Sequence, residues 1–396
     1  MKKILVLNSG SSSIKFQLFK MPEQTIICSG LIERIGFDDA KFELKVEQEK
    51  YEHIQVLRNH QEGLQLLSNK LLDSSLGILN SANEIDVVGH RVVHGGSHFK
   101  ETTLITQEVK DKIRSLSDLA PLHNPPNLEG IEVAETIFKS AKQVAVFDTA
   151  FHQSIPKVAY KYAIPNEFLD DHGIRVYGFH GTSHKYVSEK TIDYLNLENS
   201  NIISIHLGNG CSITAIKNGK SIDHSLGFGP VNGLIMGTRA GDIDASVIFH
   251  LKNKLGYSLK EINNILQKES GMLGLTGHSD LRDIEDKATK GDKDCLLALH
   301  MNAYRIKKFI GSYIAALNGL DAIIFTAGIG ENSEFMRRLV CDDLDVFGIE
   351  LSDEKNALRS KDIREVNTNE SKVKILVIPT NEELEIAKQV FELVKN

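Results

Sequence analysis

Ile4-Leu5-Val6-Leu7-Asn8-Ser9-Gly10-Ser11-Ser12-Ser13-Ile14-Lys15-Phe16-Gln17-Leu18 is the stretch on which the fold turns. Four consecutive apolar residues predict a buried strand. The Asn-Ser-Gly-Ser run breaks it, and the period-two alternation of Ile14 to Leu18 predicts a second strand. The same unit of strand, Gly/Ser turn and strand returns near residue 202. There Ile202-Ile203-Ser204-Ile205 and Cys211-Ser212-Ile213-Thr214-Ala215-Ile216 flank Leu207-Gly208-Asn209-Gly210. Asn218-Gly219 follows, the signal of a type I′ hairpin turn. Two such units about half a chain apart predict a duplicated domain.

Outward from these units, short apolar runs predict strands over Asp86–Val88, Gln143–Phe147, Ala322–Thr326 and Val373–Ile378. Leu128, Ile131, Ala134 and Ile137 fall on one helical stripe, with Asn127 placed to cap it after Pro125-Pro126. Leu296 to Leu317 predicts a long helix. A last helix starts after Asn381, with Leu384, Ala387, Phe391 and Val394 on one face. The expected fold is α/β, two related domains with a nucleotide cleft between them. The expected boundaries are 1–150 for an N-terminal domain and 151–382 for a C-terminal nucleotide-binding domain. The helix 383–396 is expected to pack back on the first.

Composition narrows the function. The 396 residues are 41% hydrophobic and 25% charged, as in ordinary globular proteins. Asp and Glu number 53 against 46 Lys and Arg, a net charge of −7, which argues against a nucleic-acid binder. Cys28, Cys211, Cys295 and Cys341 form no C-x-x-C pair, so neither zinc nor a redox motif is signalled. The apolar run after Met1-Lys2-Lys3 is too short for a secretory signal, and no segment reaches the ~20 apolar residues of a membrane span. The expected compartment is the cytoplasm.

Several motifs carry chemistry. The turn Asn8 to Ser13 exposes N–H groups and hydroxyls that suit phosphate, and Lys15 adds a charge. It lacks the second Gly and the Lys-Ser/Thr pair of a Walker A loop, and as a bare hairpin turn it would need no ligand. Leu207-Gly208-Asn209-Gly210 and Gly328-Ile329-Gly330-Glu331-Asn332 each follow an apolar strand, and three such turns after strands point to a nucleotide. Gly89-His90-Arg91-Val92-Val93-His94-Gly95-Gly96 delivers an arginine suited to carboxylate or phosphate. His90/His94 and His180/His184 have a spacing that could hold zinc on a helix. The Glu of H-E-x-x-H is missing, and the adjoining glycines disfavour a helix. Asp148 ends an apolar strand, where α/β sites collect. His123 sits in the proline-stiffened run Pro121-Leu122-His123-Asn124-Pro125-Pro126, and Arg239 in the small-residue run Gly237-Thr238-Arg239-Ala240-Gly241-Asp242.

Taken together, these residues resemble the acetokinase family of acetate, propionate and butyrate kinases. The resemblance runs along essentially the whole chain. It rests on NSGSSSIKF (8–16), GHRVVHGG (89–96), PLHNPPNL (121–128), FDTAFH (147–152), GFHGTSH (178–184), HLGNG (206–210), GTRAGDID (237–244), GIGEN (328–332) and PTNEE (379–383). It implies the fold shared by sugar kinases, actin and the large heat-shock chaperones, and a homodimer. It also implies reversible, direct in-line phosphoryl transfer from ATP to acetate, giving acetyl phosphate and ADP.

By motif, the resemblance makes Asn8 and Glu382 the positions for Mg²⁺ or Mn²⁺. His206, Leu207, Gly208, Asn209, Gly210, Asp280, Leu281, Arg282 and Gly328 to Asn332 become the nucleotide site, to which the residue reading of the first turn adds Lys15 as an expected nucleotide-binding residue. Arg91 and Arg239 become clamps, His180 a transition-state stabiliser and Asp148 the essential acid. Val93, Leu122, Phe179 and Pro230 become the small apolar pocket for the acyl group, and His123 is a further expected substrate-binding residue. The chain departs from the family pattern Asp-Thr-Ser-Met-Gly-Phe-Thr-Pro, reading Asp223-His224-Ser225-Leu226-Gly227-Phe228-Gly229-Pro230, and has Ala245 in place of a Pro. Gly229 bears on the size of the acyl pocket, so propionate or butyrate is the alternative substrate. A non-catalytic ATP-driven binder of the same fold is the alternative of another class.

Overall fold

The computed structural model describes residues 1–395 and divides into two compact units, residues 1–151 with the chain from Asn381 onward, and residues 152–380. Unit one is built on eight strands: β1 (Lys2–Ser9), β2 (Ser13–Met21), β3 (Thr25–Glu33), β4 (Ala40–Val46), β5 (Glu49–Gln55), β6 (Val87–Val92), β7 (Thr103–Leu104) and β8 (Lys142–Phe147). They lie in the order β5-β4-β3-β2-β1-β6-β8-β7. β1 runs antiparallel to β2 and parallel to β6, which is parallel to β8.

The unbroken apolar run of β1 is explained by cover on both faces. Ile4 and Val6 pack with Val87, Val144 and Val146 against Ile386, Ala387 and Val390 of the helix Glu382–Val394. Leu5 and Leu7 point the other way, into a core with Phe16, Phe42, Leu64 and Leu67. Gly89 lets the last helix seat: a Cβ there would lie 2.9 Å from Val390 Cγ2 and 3.2 Å from Ile386 Cγ2. The buried face of that helix is therefore centred on Ile386 and Val390, with the expected Leu384 and Phe391 only at its margin.

Unit two repeats the arrangement with β9 (Asn201–Leu207), β10 (Cys211–Lys217), β11 (Lys220–His224), β12 (Ala322–Thr326), β13 (Arg364–Glu365) and β14 (Lys374–Val377). Its order is β11-β10-β9-β12-β14-β13. Again the first strand is antiparallel to the second and parallel to the next, so β3-β2-β1-β6-β8 and β11-β10-β9-β12-β14 are the same path. Asn218 (φ 51°) and Gly219 (φ 73°) both take the left-handed conformation of the expected I′ turn. The fold is α/β with two related units, as the resemblance implied.

Two local expectations are corrected. Asn127 does not cap a helix: the helix runs Asn124–Ile137, because Pro125 and Pro126 occupy first-turn positions whose N–H groups need no partner. Gly328 to Asn332 is not a turn but most of a short helix, Ala327–Asn332, which follows β12 directly.

Candidate active site

In unit one, parallel pairing sets the C-terminal ends of β1, β6 and β8 side by side, and these ends carry Asn8, Arg91 and, one residue past β8, Asp148. Arg91 Nε donates to both carboxylate oxygens of Asp148, at 3.2 and 3.0 Å, and Nη2 donates to Oδ2. Nη1 donates to Asn8 Oδ1 at 3.3 Å, and Glu382 Oε2 lies 3.8 Å from Nε. Lys15 pairs with Glu383 at 2.7 Å. Asp148 is 1% exposed. Burial alone would lower the Arg91 pKa, but Asp148, Glu382 and Glu383 turn the net shift upward. Burial raises the Glu382 pKa, with Asp148 and Glu383 adding to the rise and Arg91 opposing it.

Three carboxylates thus share two cations. That donor set, with the amide of Asn8, suits a hard divalent ion held by one or two carboxylates and its phosphate ligands. Among the described residues no group of three or more His, Cys, Asp or Glu could hold a metal ion.

The same strand ends are tied down by two buried asparagines. Asn127 Nδ2 donates to Ser9 O at 2.7 Å and its Oδ1 accepts from Val93 N at 3.0 Å. Asn124 does the same for both backbone groups of His94, at 3.0 Å each. Sequence reasoning missed both roles, for which the only signal was amide residues beside a Pro pair. Val93 is buried, His123 is the N-cap residue of the helix, and Leu122 is half-exposed.

In unit two, the β9–β10 turn, the segment Ser279 to Arg282 and the helix Ala327–Asn332 line one cavity of about 730 Å³. Gly208, Asn209, Asp280, Leu281, Arg282, Gly328, Ile329 and Asn332 all face it. Glu331 and Gly330 do not line it: Glu331 accepts from Thr380 N at 3.0 Å and Gly330 is buried near the Phe325 backbone. Glu285 and Arg359 line it unforeseen; Glu285 follows Leu281 by one helical turn, whereas Arg359 had no local signal.

Past the turn lies a second constellation. A Cβ on Gly210 would meet Arg239 Nη2 at 3.0 Å and His180 Nε2 at 3.3 Å, so His180 and Arg239 converge there. Arg239 Nη1 donates to Pro230 O, and burial pulls the Arg239 pKa down. His180 heads the helix Gly181–Leu195 at φ 56°, ψ 25°, a left-handed conformation costing a non-glycine residue about 1–2 kcal/mol. Its ring stacks on His206 at 4.5 Å, and Nδ1 meets Ser212 Oγ at 2.9 Å. Ser212 Oγ also lies 2.7 Å from His184 Nε2. Phe179 is buried.

Burial holds His90 and His94 down to about 4, and His184 and His224 well below 6.5. These rings stay neutral in the folded protein but take protons near 6.5 once unfolded. Stability is then full above pH ~6.5 and falls as pH drops toward ~4, by about 1.4 kcal/mol per pH unit for each ring. The urea midpoint is expected to be flat from pH 8 to 7 and to fall steeply from pH 6 to 5. A midpoint unchanged to pH 5 would mean that these rings protonate in place.

Comparison with known proteins agrees along the chain. The model of the acetokinase family matches residues 3–388. A relative from Flavobacterium johnsoniae, "Acetate kinase", is 64% identical over 394 residues, covering 100% of both chains. The acetate kinase of Porphyromonas gingivalis has a solved structure with a TM-score of 0.93 at 42% identity, covering 100% of both chains. A propionate kinase from Francisella tularensis superposes with a TM-score of 0.91 at 43% identity, covering 98% of this chain and 99% of that one.

Proposed function

The chain belongs to the acetokinase family, and from that premise we propose that it catalyses the reversible transfer of the γ-phosphoryl group of ATP to acetate, giving acetyl phosphate and ADP. The observation that carries this reading is the convergence of His180 and Arg239 on Gly210, one residue beyond the part of the β9–β10 turn that lines the large cavity. A nucleotide in that cavity would have its phosphates directed at the turn and at these two side chains.

A carboxylate is ionised at neutral pH, so attack on phosphorus needs no general base. The barrier lies in alignment and charge. In this reading Arg239 and Arg91 neutralise the oxygens of carboxylate and phosphoryl group, and His180 donates a hydrogen bond to the transferring group. Asp148 orients Arg91, a role its hydrogen bonds support. Asn8 and Glu382 are the proposed holders of Mg²⁺ or Mn²⁺, which would supply charge neutralisation on the phosphates. Lys15 is proposed to assist at the phosphates. His206, which stacks on His180, would hold that ring in place.

Val93 and Leu122 of unit one and Phe179 and Pro230 of unit two are the proposed apolar contacts of the acyl group, with His123 a further proposed substrate-binding residue. One feature favours a second reading: a Cβ on Gly229, next to Pro230, would meet nothing within 4 Å. That space supports acceptance of propionate beside acetate, since one methylene is worth only ~1–3 kcal/mol. We further propose a homodimer, which would cover Val247 and Phe249, exposed on the helix Ala245–Asn253. A cytoplasmic location is supported by four free thiols. No helix among the described residues is long and apolar enough to cross a membrane.

The test is ADP release by purified protein with ATP, Mg²⁺ and one of formate, acetate, propionate or butyrate, with hydroxylamine to trap acyl phosphate. Hydroxamate formation with a maximum at acetate or propionate is expected. ATP turnover indifferent to every acid would instead indicate an ATP-driven binder.

A further inference from the structure

Two imidazoles outside the reacting set hold both backbone groups of Phe179, the residue before His180. Phe179 N–H donates to His224 Nε2 at 3.1 Å. A backbone N–H can only donate, so Nε2 of His224 is bare. Its proton then sits on Nδ1, which donates to Thr214 Oγ1 at 2.7 Å. Phe179 C=O, which can only accept, lies 2.9 Å from His152 Nε2, so that nitrogen carries the proton. His152 Nδ1 accepts from Ser221 Oγ at 2.9 Å. The two rings pack together with centroids 4.1 Å apart, and both side chains are buried.

The consequence reaches His180. The peptide whose oxygen His152 grips is the one whose nitrogen belongs to His180, and the peptide whose N–H His224 grips is the one before it. Fixing both planes leaves the chain little freedom at His180, which holds the left-handed φ of 56°. Gly178 completes the cradle: a Cβ there would lie 2.6 Å from the His152 ring. The held backbone sends the His180 ring to Ser212 and its Nε2 to Gly210, beside Arg239.

We propose that His224, with His152, is a positioning residue for phosphoryl transfer: it clamps the Phe179 peptide so that His180 Nε2 stays aimed beside Arg239. This rests on the kinase reading, in which His180 acts on the transferring group.

The experiment compares His224→Leu with His224→Gln and reads wild-type tautomers. Leucine keeps the volume but offers no acceptor, whereas the glutamine amide oxygen can accept the Phe179 N–H. His224→Leu is expected to lose about 10²-fold in kcat, as small misplacements of a catalytic group do, with KM for ATP within about 2-fold. His224→Gln is expected to return to within about 5-fold of wild type. A loss in His224→Leu of less than about 3-fold, or a glutamine variant no better than leucine, would overturn the proposal. ¹⁵N NMR of histidine-labelled wild-type protein decides the matter if the leucine variant does not fold. A bare Nε2 on His224 with a protonated Nε2 on His152 supports the clamp, and the reverse pair refutes it. The tautomers do not depend on turnover, so a failed kinase assay and a failed clamp remain distinguishable.

Discussion

Arg239→Ala is expected to lower kcat by about 10³-fold or more while nucleotide affinity moves by less than about 3-fold. The guanidinium lies beyond the cavity-lining residues, at Gly210, beside His180 Nε2. Its one hydrogen-bonding partner among the described residues is the carbonyl of Pro230. No carboxylate among them neutralises it, although burial already weakens its protonated form. A partly buried cation with no anion is costly to hold, and the cost is offset when an anion arrives. Charge concentrates on the equatorial oxygens as a phosphoryl group leaves, and an arginine supplied there is worth ~10³–10⁵ in rate. Lysine is expected to rescue poorly, because a point charge cannot reproduce the planar fork. Steady-state kinetics and calorimetric ADP titration separate the two quantities. Equal losses in kcat and ADP affinity would make Arg239 a nucleotide-binding residue and remove it from the transition state.

The sequence made the strand skeleton legible because its signals are local. The run Ile4 to Leu7 announces cover on both faces, and Asn218-Gly219 announces its own turn. What was hidden depends on distance along the chain. Asn127 reads as a cap by its position after two prolines, yet it bridges Ser9 and Val93, groups that only the sheet brings within its reach. Gly328 to Asn332 reads as a turn because glycines disfavour a helix, yet these residues lie in the helix Ala327–Asn332. His224 stood out as a departure from the family pattern, but nothing nearby names its partner, Phe179, which is 45 residues away. The motifs gave residue types for the candidate site. The structure adds which of them touch: Arg91 with Asp148, and His180 with Ser212.

Removing Arg91 is expected to do more harm to stability than removing Arg91 and the Asp148 charge together. Asp148 is 1% exposed, and Arg91 gives it two nitrogens. In Arg91→Ala the carboxylate stays buried near Glu382 with the Arg91 charge removed. Breaking one side of a buried pair in this way costs about 3–5 kcal/mol. Adding Asp148→Asn removes the buried charge that Arg91 faced and leaves an amide, so the double variant is expected to regain much of that loss. Asp148→Asn alone leaves Arg91 with a neutral acceptor, plus Glu382 at 3.8 Å, and is expected to cost less than Arg91→Ala. Urea unfolding of the four proteins forms a double-mutant cycle with a coupling of several kcal/mol. All three variants are expected to lose turnover, because Arg91 needs Asp148 for its aim and the reaction needs Arg91. The two readouts therefore separate: stability should recover in the double variant and activity should not. If the double variant is no more stable than Arg91→Ala, Asp148 is not held by Arg91's charge. The rigid Arg91 platform assumed for catalysis would then have to be given up.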